Sequence, residues 1–92
     1  MLLTLGSMRA EERLAAFLLN LSKRSAQRGY SSTEFVLRMS REELGSYLGL
    51  KLETASRLFS RFAEAGLIQI RQRHVKLIDL AGLRQVMSGQ AA

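Results

Sequence analysis

One short segment carries a glutamate, a serine and an arginine at spacings that suit contact with the edges of nucleic-acid bases. Glu53, Ser56 and Arg57 stand at i, i+3 and i+4, so a helix turning about 100° per residue places them on one face. An arginine can donate two hydrogen bonds to guanine, a glutamate can accept one from cytosine, and a serine hydroxyl can do either. Because an acid repels phosphates, its presence on this face favours base reading over general affinity for a polyanion.

The same face has a simpler interpretation as a solvated helix surface. Glu53 and Arg57 can form an i, i+4 ion pair worth about 0.2 to 0.5 kcal/mol without any ligand, and for an isolated helix we prefer that interpretation. The segment that follows reverses the preference. Residues 67–78 contain no acidic residue and three basic ones: Arg71, Arg73 and Lys76. A basic hairpin of this kind suits the phosphate backbone.

Three further residues flank the face and are candidates for phosphate contact: Lys51, Thr54 and Arg61. Phosphate contacts come from hydroxyl and basic side chains around a base-reading helix. Each of the three is equally well interpreted as an ordinary surface residue, and both interpretations stay open.

The helix with this face is predicted to be the second of a helix-turn-helix. Ser40 and Glu43 form the pattern of a capping box at the start of the first helix. Gly45 lies within that helix, where glycine costs roughly 1 kcal/mol relative to alanine, so we expect the backbone of the second helix to pass close by. Gly49 suits the left-handed end of the first helix. The predicted apolar contacts between the two helices are Leu44, Leu48, Leu50, Ala55 and Leu58, with Tyr47 also on the buried stripe.

The remaining elements follow from periodicity. The first helix carries an apolar stripe of Leu14, Phe17, Leu18 and Leu21 and ends near Gly29. Residues 34–39 alternate as a half-buried strand, with Phe35, Leu37 and Met39 inward. Residues 67–72 and 75–78 predict a hairpin joined across Arg73 and His74, without the glycine or asparagine that short hairpin turns prefer. Asp79 is predicted to cap a last helix that carries Leu80, Leu83 and Met87.

These elements predict one domain that is mainly α with a small β-hairpin, the winged helix-turn-helix class. The 92 residues include 14 Lys and Arg against 8 Asp and Glu, a net charge of +6 that favours an acidic or polyanionic partner. There is no cysteine and only one histidine, His74, so we expect neither a disulfide nor a metal site in this chain. No segment has the pattern of a signal peptide or membrane span, and the cytoplasm is the expected compartment.

Enzymatic activity is not expected. Glu42 and Glu43 are adjacent and point apart on a helix, and no nucleophile, base and orienting group come together. No catalytic residue is therefore predicted. The main alternative to DNA binding is a winged-helix module that binds another protein through its apolar first helix.

Several segments together resemble the FNR-type regulators of the CRP/FNR family. The resemblance covers nearly the whole chain and rests on residues 10–17 (AEERLAAF), 20–22 (NLS), 27–29 (QRG), 47–50 (YLGL) and above all 53–57 (ETASR). It implies a dimer that binds double-stranded DNA at inverted repeats of TTGAT-type half-sites. It also implies that Arg57 reads a guanine, Glu53 a base on the opposite strand and Ser56 a thymine.

The resemblance further implies that the chain is part of a longer regulator. Residues 1–9 would be the end of a dimerisation helix or a linker, residues 10–88 the DNA-binding domain and residues 89–92 a tail. The iron-sulfur cluster of this branch would be held in a sensor domain absent from this chain, which itself would need no cofactor. The loop at residues 28–33 would touch RNA polymerase. The chain departs from the family pattern at Lys51, which cannot cap the recognition helix as serine or threonine would, and at the small Ala55.

Overall fold

The computed structural model describes residues 9–89, which form four helices and one three-stranded antiparallel sheet. The helices are α1 (Ala10–Gln27), α2 (Arg41–Leu48), α3 (Leu52–Glu64) and α4 (Leu80–Met87). The strands are β1 (Glu34–Val36), β2 (Ile68–Arg71) and β3 (His74–Leu77). The predicted fold class and order of elements are confirmed. Residues 90–92 of the predicted tail 89–92 and all but Arg9 of the predicted segment 1–9 lie outside the described residues.

The sheet joins the hairpin to the earlier strand. Its order is β1-β3-β2, so β3 is central, and Val75 pairs with both Phe35 and Ile70. The strand is shorter than the predicted 34–39, because Val36 pairs with His74, the first residue of β3, and the next residue, Leu37, donates to the turn carbonyl of Arg73 and not to a strand. Leu37 is nevertheless buried and Met39 half-buried, so the predicted inward face is correct.

The hairpin turn was predicted one residue too late. Arg71 pairs directly with His74, so the central residues of the turn are Gln72 and Arg73. Gln72 has a φ of +57°, a left-handed conformation that is unfavourable for a residue with a side chain. The register has a tertiary cause, since it places Ile68 opposite Leu77 and buries both.

The core lies between α1, the two central helices, the sheet and α4. Its fully buried members include Leu14 and Leu18 of α1, Phe59 of α3, Ile68 of β2 and Leu83 of α4. Phe17 and Leu21, the rest of the predicted α1 stripe, are only half-buried.

Tyr47, predicted on the buried stripe of α2, is exposed, and so is Met87 of the last helix. Tyr47 is 61% exposed, because α2 turns only Leu44, Gly45 and Leu48 toward the core, and its ring lies 5.8 Å from that of Phe17 at the surface. Met87 is 38% exposed in the last turn of α4. The predicted cap of α4 is confirmed, since Asp79 accepts a hydrogen bond of 2.8 Å from the amide of Gly82.

Within residues 9–89, no helix combines the length and the apolar character that crossing a membrane requires.

Candidate nucleic-acid interface

The helix-turn-helix is held together by a close backbone approach at Gly45. A Cβ at that position would lie 2.7 Å from the carbonyl oxygen of Leu50, and the Leu50 amide donates to the Gly45 carbonyl at 2.6 Å. The close approach is thus confirmed, but the neighbour is the turn between the helices rather than α3 itself. Gly49 has a φ of +74°, as the predicted left-handed end of α2 requires.

The start of α2 has the predicted capping box. The Ser40 hydroxyl accepts from the Glu43 amide at 3.1 Å, and the Glu43 carboxylate accepts from the Ser40 amide at 2.9 Å. The backbone and hydroxyl of Ser40 together hold the pKa of Glu43 below its ordinary value, and the charge of Arg73 acts in the same direction against weak desolvation. Glu43 is therefore ionised at neutral pH and feels the charge of Arg73 in the β2–β3 hairpin.

Glu43 predicts a pH dependence of stability. Because its folded pKa is lowered, its stabilising contribution is complete above the ordinary carboxyl pKa and is lost as the pH falls through the folded value. We expect the unfolding free energies of wild type and Glu43→Ala to converge at acid pH, as measured by urea unfolding across a pH series. Glu42→Ala removes a neighbouring carboxylate that is not part of the capping box, and its difference from wild type should change less. A Glu43→Ala difference that does not change across the pH series would contradict the assignment.

The exposed face of α3 presents the three predicted base-reading residues together. Its opposite face is buried through Ala55, Leu58, Phe59 and Phe62, as predicted. Arg57 donates to the Glu53 carboxylate at 2.9 Å while both side chains stay mostly exposed, at 66% and 82%. Ser56 is half-buried beside them. An exposed pair of this kind is worth little, so it holds the arginine near the glutamate and can open at small cost when a base competes for either group.

The residues that flank this face keep their predicted positions around it. Lys51 precedes α3 and makes no side-chain cap, so the predicted lack of a cap is confirmed. Lys51 and Arg61 are exposed and Thr54 is half-buried. Arg61 follows Arg57 by four residues and so lies one turn further along the same face. The contact of these residues with phosphate stays a prediction.

The β2–β3 hairpin at residues 67–78 is the wing of the fold, and its three basic side chains differ in their surroundings. Arg71, Arg73 and Lys76 are all exposed, and Arg73 stands at the turn. Lys76, however, pairs across the sheet with Glu34, whose carboxylate lies 3.7 Å from the Nε2 atom of His74. The segment 67–78 has no acid of its own, but β1 brings one to its surface. Arg73 is therefore the stronger candidate for phosphate contact and Lys76 the weaker.

Arg41 is a further candidate functional residue, and the sequence did not predict it. Its guanidinium lies over the ring of Phe59 at 4.6 Å from the centroid and donates to the carbonyl oxygen of Gln72 at 3.2 Å. It thus contacts both α3 and the wing. The sequence contained one indication of this role. A basic residue in the first turn of a helix is unfavourable with respect to the helix dipole, so an arginine at that position suggests another function.

An open groove lies between α1 and β1 and extends to His74 of β3. Its volume is about 740 Å³, and its lining combines aromatic and aliphatic side chains with several arginines. The lining includes Phe17, Arg24, Arg28, Tyr30, Val36 and Arg38. Tyr30 and Val36 are 71% and 65% exposed, although both are large and apolar in most of their surface. Among residues 9–89, no three potential metal-ligating side chains lie together.

A short recognition helix crossing a capped partner helix, followed by a basic hairpin, defines the winged helix-turn-helix class of DNA-binding domains. The sequence profile of the Crp-like helix-turn-helix domain matches residues 12–86. The chain therefore belongs to the CRP/FNR family of transcription regulators.

Individual relatives support this assignment. The chain is 69% identical over 91 residues to the transcriptional regulatory protein btr of Bordetella pertussis, covering 99% of this chain and 38% of that protein. It is 46% identical over 86 residues to the fumarate and nitrate reduction regulatory protein of Escherichia coli, covering 94% and 34%. The resemblance to FNR-type regulators is thus confirmed. The chain spans little more than a third of the length of these relatives.

A solved structure gives the same result for the fold. FixK2 from Bradyrhizobium japonicum matches with a TM-score of 0.79 and 35% identity over 89% of this chain and 40% of that one. The btr protein and the fumarate and nitrate reduction regulatory protein are regulators by name, which agrees with the prediction that the chain is not an enzyme.

Proposed function

We propose that this chain reads double-stranded DNA sequence-specifically, with α3 in the major groove of a TTGAT-type half-site. The observation that carries the proposal is the exposed cluster of Glu53, Ser56 and Arg57 near the start of α3, where a recognition helix meets base edges. Arg57 would donate two bonds to a guanine, Glu53 would accept from a base on the opposite strand, and Ser56 would contact a thymine.

The phosphate backbone would be held by residues around this cluster. Arg73 stands at the wing turn and Arg71 lies beside it, while Lys51, Thr54 and Arg61 surround α3. Lys76 is included with less weight because of Glu34. These contacts would set the position of the domain on the duplex without reading sequence.

A salt titration tests the proposal. Binding to a short duplex with one half-site should weaken log-linearly with salt, with a slope of about −0.9 per phosphate contact. Arg73→Ala should weaken specific and random duplexes alike and reduce the slope by about one. Measurement by fluorescence anisotropy at several salt concentrations gives both quantities. A flat salt response would contradict DNA binding and favour a protein-binding module.

The half-site alone would be bound weakly. In a full-length regulator, we propose that two copies form a homodimer on an inverted repeat, and linkage of two heads raises affinity through effective concentration. Any iron-sulfur cluster that senses a signal would belong to the rest of that protein, since this chain has no cysteine. The chromosomal target would place the protein in the cytoplasm.

The groove between α1 and β1 supports a second, protein-binding role. Tyr30, in the loop at residues 28–33, is largely exposed beside a rim of Arg24, Arg28 and Arg38. We propose that this surface contacts RNA polymerase when the regulator is bound at a promoter. An alternative function as a protein-interaction module alone would use the same groove and would leave the face of α3 unused.

A further inference from the structure

Two elements that are distant in sequence meet through one arginine. Arg41, the first residue of α2, stacks its guanidinium on Phe59 of α3 and donates to the backbone of Gln72 in the wing turn. Phe59 is only 1% exposed and belongs to the core, so the stacked surface is rigid. The arginine is thus anchored on the recognition helix and reaches the wing.

The wing turn is also held at a second point. The carbonyl oxygen of Arg73 accepts from the amide of Leu37, just after β1, at 2.7 Å. The two carbonyls of the turn therefore accept one bond from Arg41 and one from Leu37. Gln72 adopts a φ of +57°, and such unfavourable backbone persists only where surrounding contacts hold it.

We propose that Arg41 is a positioning residue that sets the wing turn, and with it Arg73, at a defined place relative to the base-reading face of α3. The inference rests on the proposed function, since it assumes that Arg73 contacts phosphate while α3 reads bases. Without the hydrogen bond from Arg41 to Gln72, the hairpin turn would sample more positions. Arg73 would then spend less time in the position from which it can contact phosphate.

The chemistry explains why an arginine stands at this position. A planar guanidinium can lie flat on an aromatic ring and still donate from its edge, whereas a lysine ammonium is a point charge without that geometry. Arg41→Lys therefore keeps the charge and removes the tether. Arg41→Met removes both and keeps much of the aliphatic stem. Arg84→Met, at an exposed position of α4, is the matched control for loss of one positive charge.

The first measurement uses the full chain without DNA. Amide hydrogen exchange followed by NMR should be faster for Leu37 in both Arg41 variants, by about threefold or more if the turn opens locally. The amide of Leu77, which donates to Thr33 at the far end of the β1–β3 pair, should exchange as in wild type. Arg84→Met should change neither amide. Unchanged exchange at Leu37 would overturn the tether whether or not the chain binds DNA.

The second measurement is a double-mutant cycle on DNA binding with Arg73→Ala. We expect Arg41→Lys and Arg41→Met each to weaken the half-site duplex about threefold to tenfold, and to weaken it less than about twofold when Arg73 is already alanine. The salt slope should fall by about one in Arg41→Met, in Arg73→Ala and in the double variant alike.

The opposing result is equally definite. If Arg41 binds phosphate itself, the effects of Arg41→Met and Arg73→Ala add, the slope of the double variant falls by about two, and Arg41→Lys retains affinity. That result would overturn the proposal. Faster exchange at Leu37 together with no DNA binding by wild type would instead refute the proposed function and leave the tether standing.

Discussion

Arg57→Ala is expected to cost roughly 1 to 3 kcal/mol of binding to the matched half-site and to abolish most of the preference for guanine at one position. The reason is geometric, because the guanidinium of Arg57 stands in the N-terminal half of the exposed face of α3 and can present two donors to a guanine edge once its 2.9 Å pair with Glu53 opens. Competition binding against duplexes that differ at each base pair of the half-site measures the effect.

The matched control for this prediction is Arg61→Ala. It removes the same side chain one turn further along the same face, and it should weaken all duplexes to a similar degree because a phosphate contact reads no sequence. Arg57→Lys should also lose the guanine preference, since an ammonium cannot make the two-bond contact. If Arg57→Ala weakens specific and random duplexes equally, its assigned role as a base reader is wrong.

Phe59→Ala is expected to destabilise the fold by about 3 to 5 kcal/mol, as large-to-small changes at buried phenylalanines do. Phe59 is 1% exposed in the core, and the guanidinium of Arg41 lies over its ring. Loss of the ring therefore leaves a cavity and an arginine without its aromatic contact. Whole domains of this size are stable by roughly 5 to 15 kcal/mol. The change would therefore remove a large share of the stability, which urea unfolding followed by circular dichroism measures.

Phe17→Ala is the control for Phe59→Ala. It deletes the same atoms from a half-buried ring that packs on Tyr47 at the surface and lines the groove, so the loss should be clearly smaller. Equal losses for the two variants would show that Phe59 does not have the central position in the core that its burial indicates.

Much of the candidate site could be predicted because it depends on interactions between near neighbours in sequence. The capping box of Ser40 and Glu43 spans one helical turn, and the left-handed Gly49 ends the same helix. The shared face of Glu53, Ser56 and Arg57 follows from helical rotation alone. Gly45 also indicated a tertiary contact, because a glycine within a helix is unfavourable unless another part of the backbone packs closely against it.

The features that were missed depend on residues far apart in the chain. The hairpin turn was predicted one residue late, since burial of Ile68 and Leu77, and not a local turn motif, sets the register. Tyr47 was expected inside and is exposed, because the half-buried ring of Phe17 covers its side of the short α2 only in part. Periodicity shows which residues share a face but not how much of that face is covered.

The sequence by itself determined the helices, their caps, the glycines of the turn and the cluster on the reading helix, because each is a matter of local backbone and side-chain chemistry. Only the tertiary structure decided how the wing is placed and charged. The pairing of β1 with β3 places Glu34 opposite Lys76 and near His74, and Arg41 reaches Gln72 across 31 positions. Such contacts arise from packing of whole elements against one core, and no spacing along the chain encodes them directly.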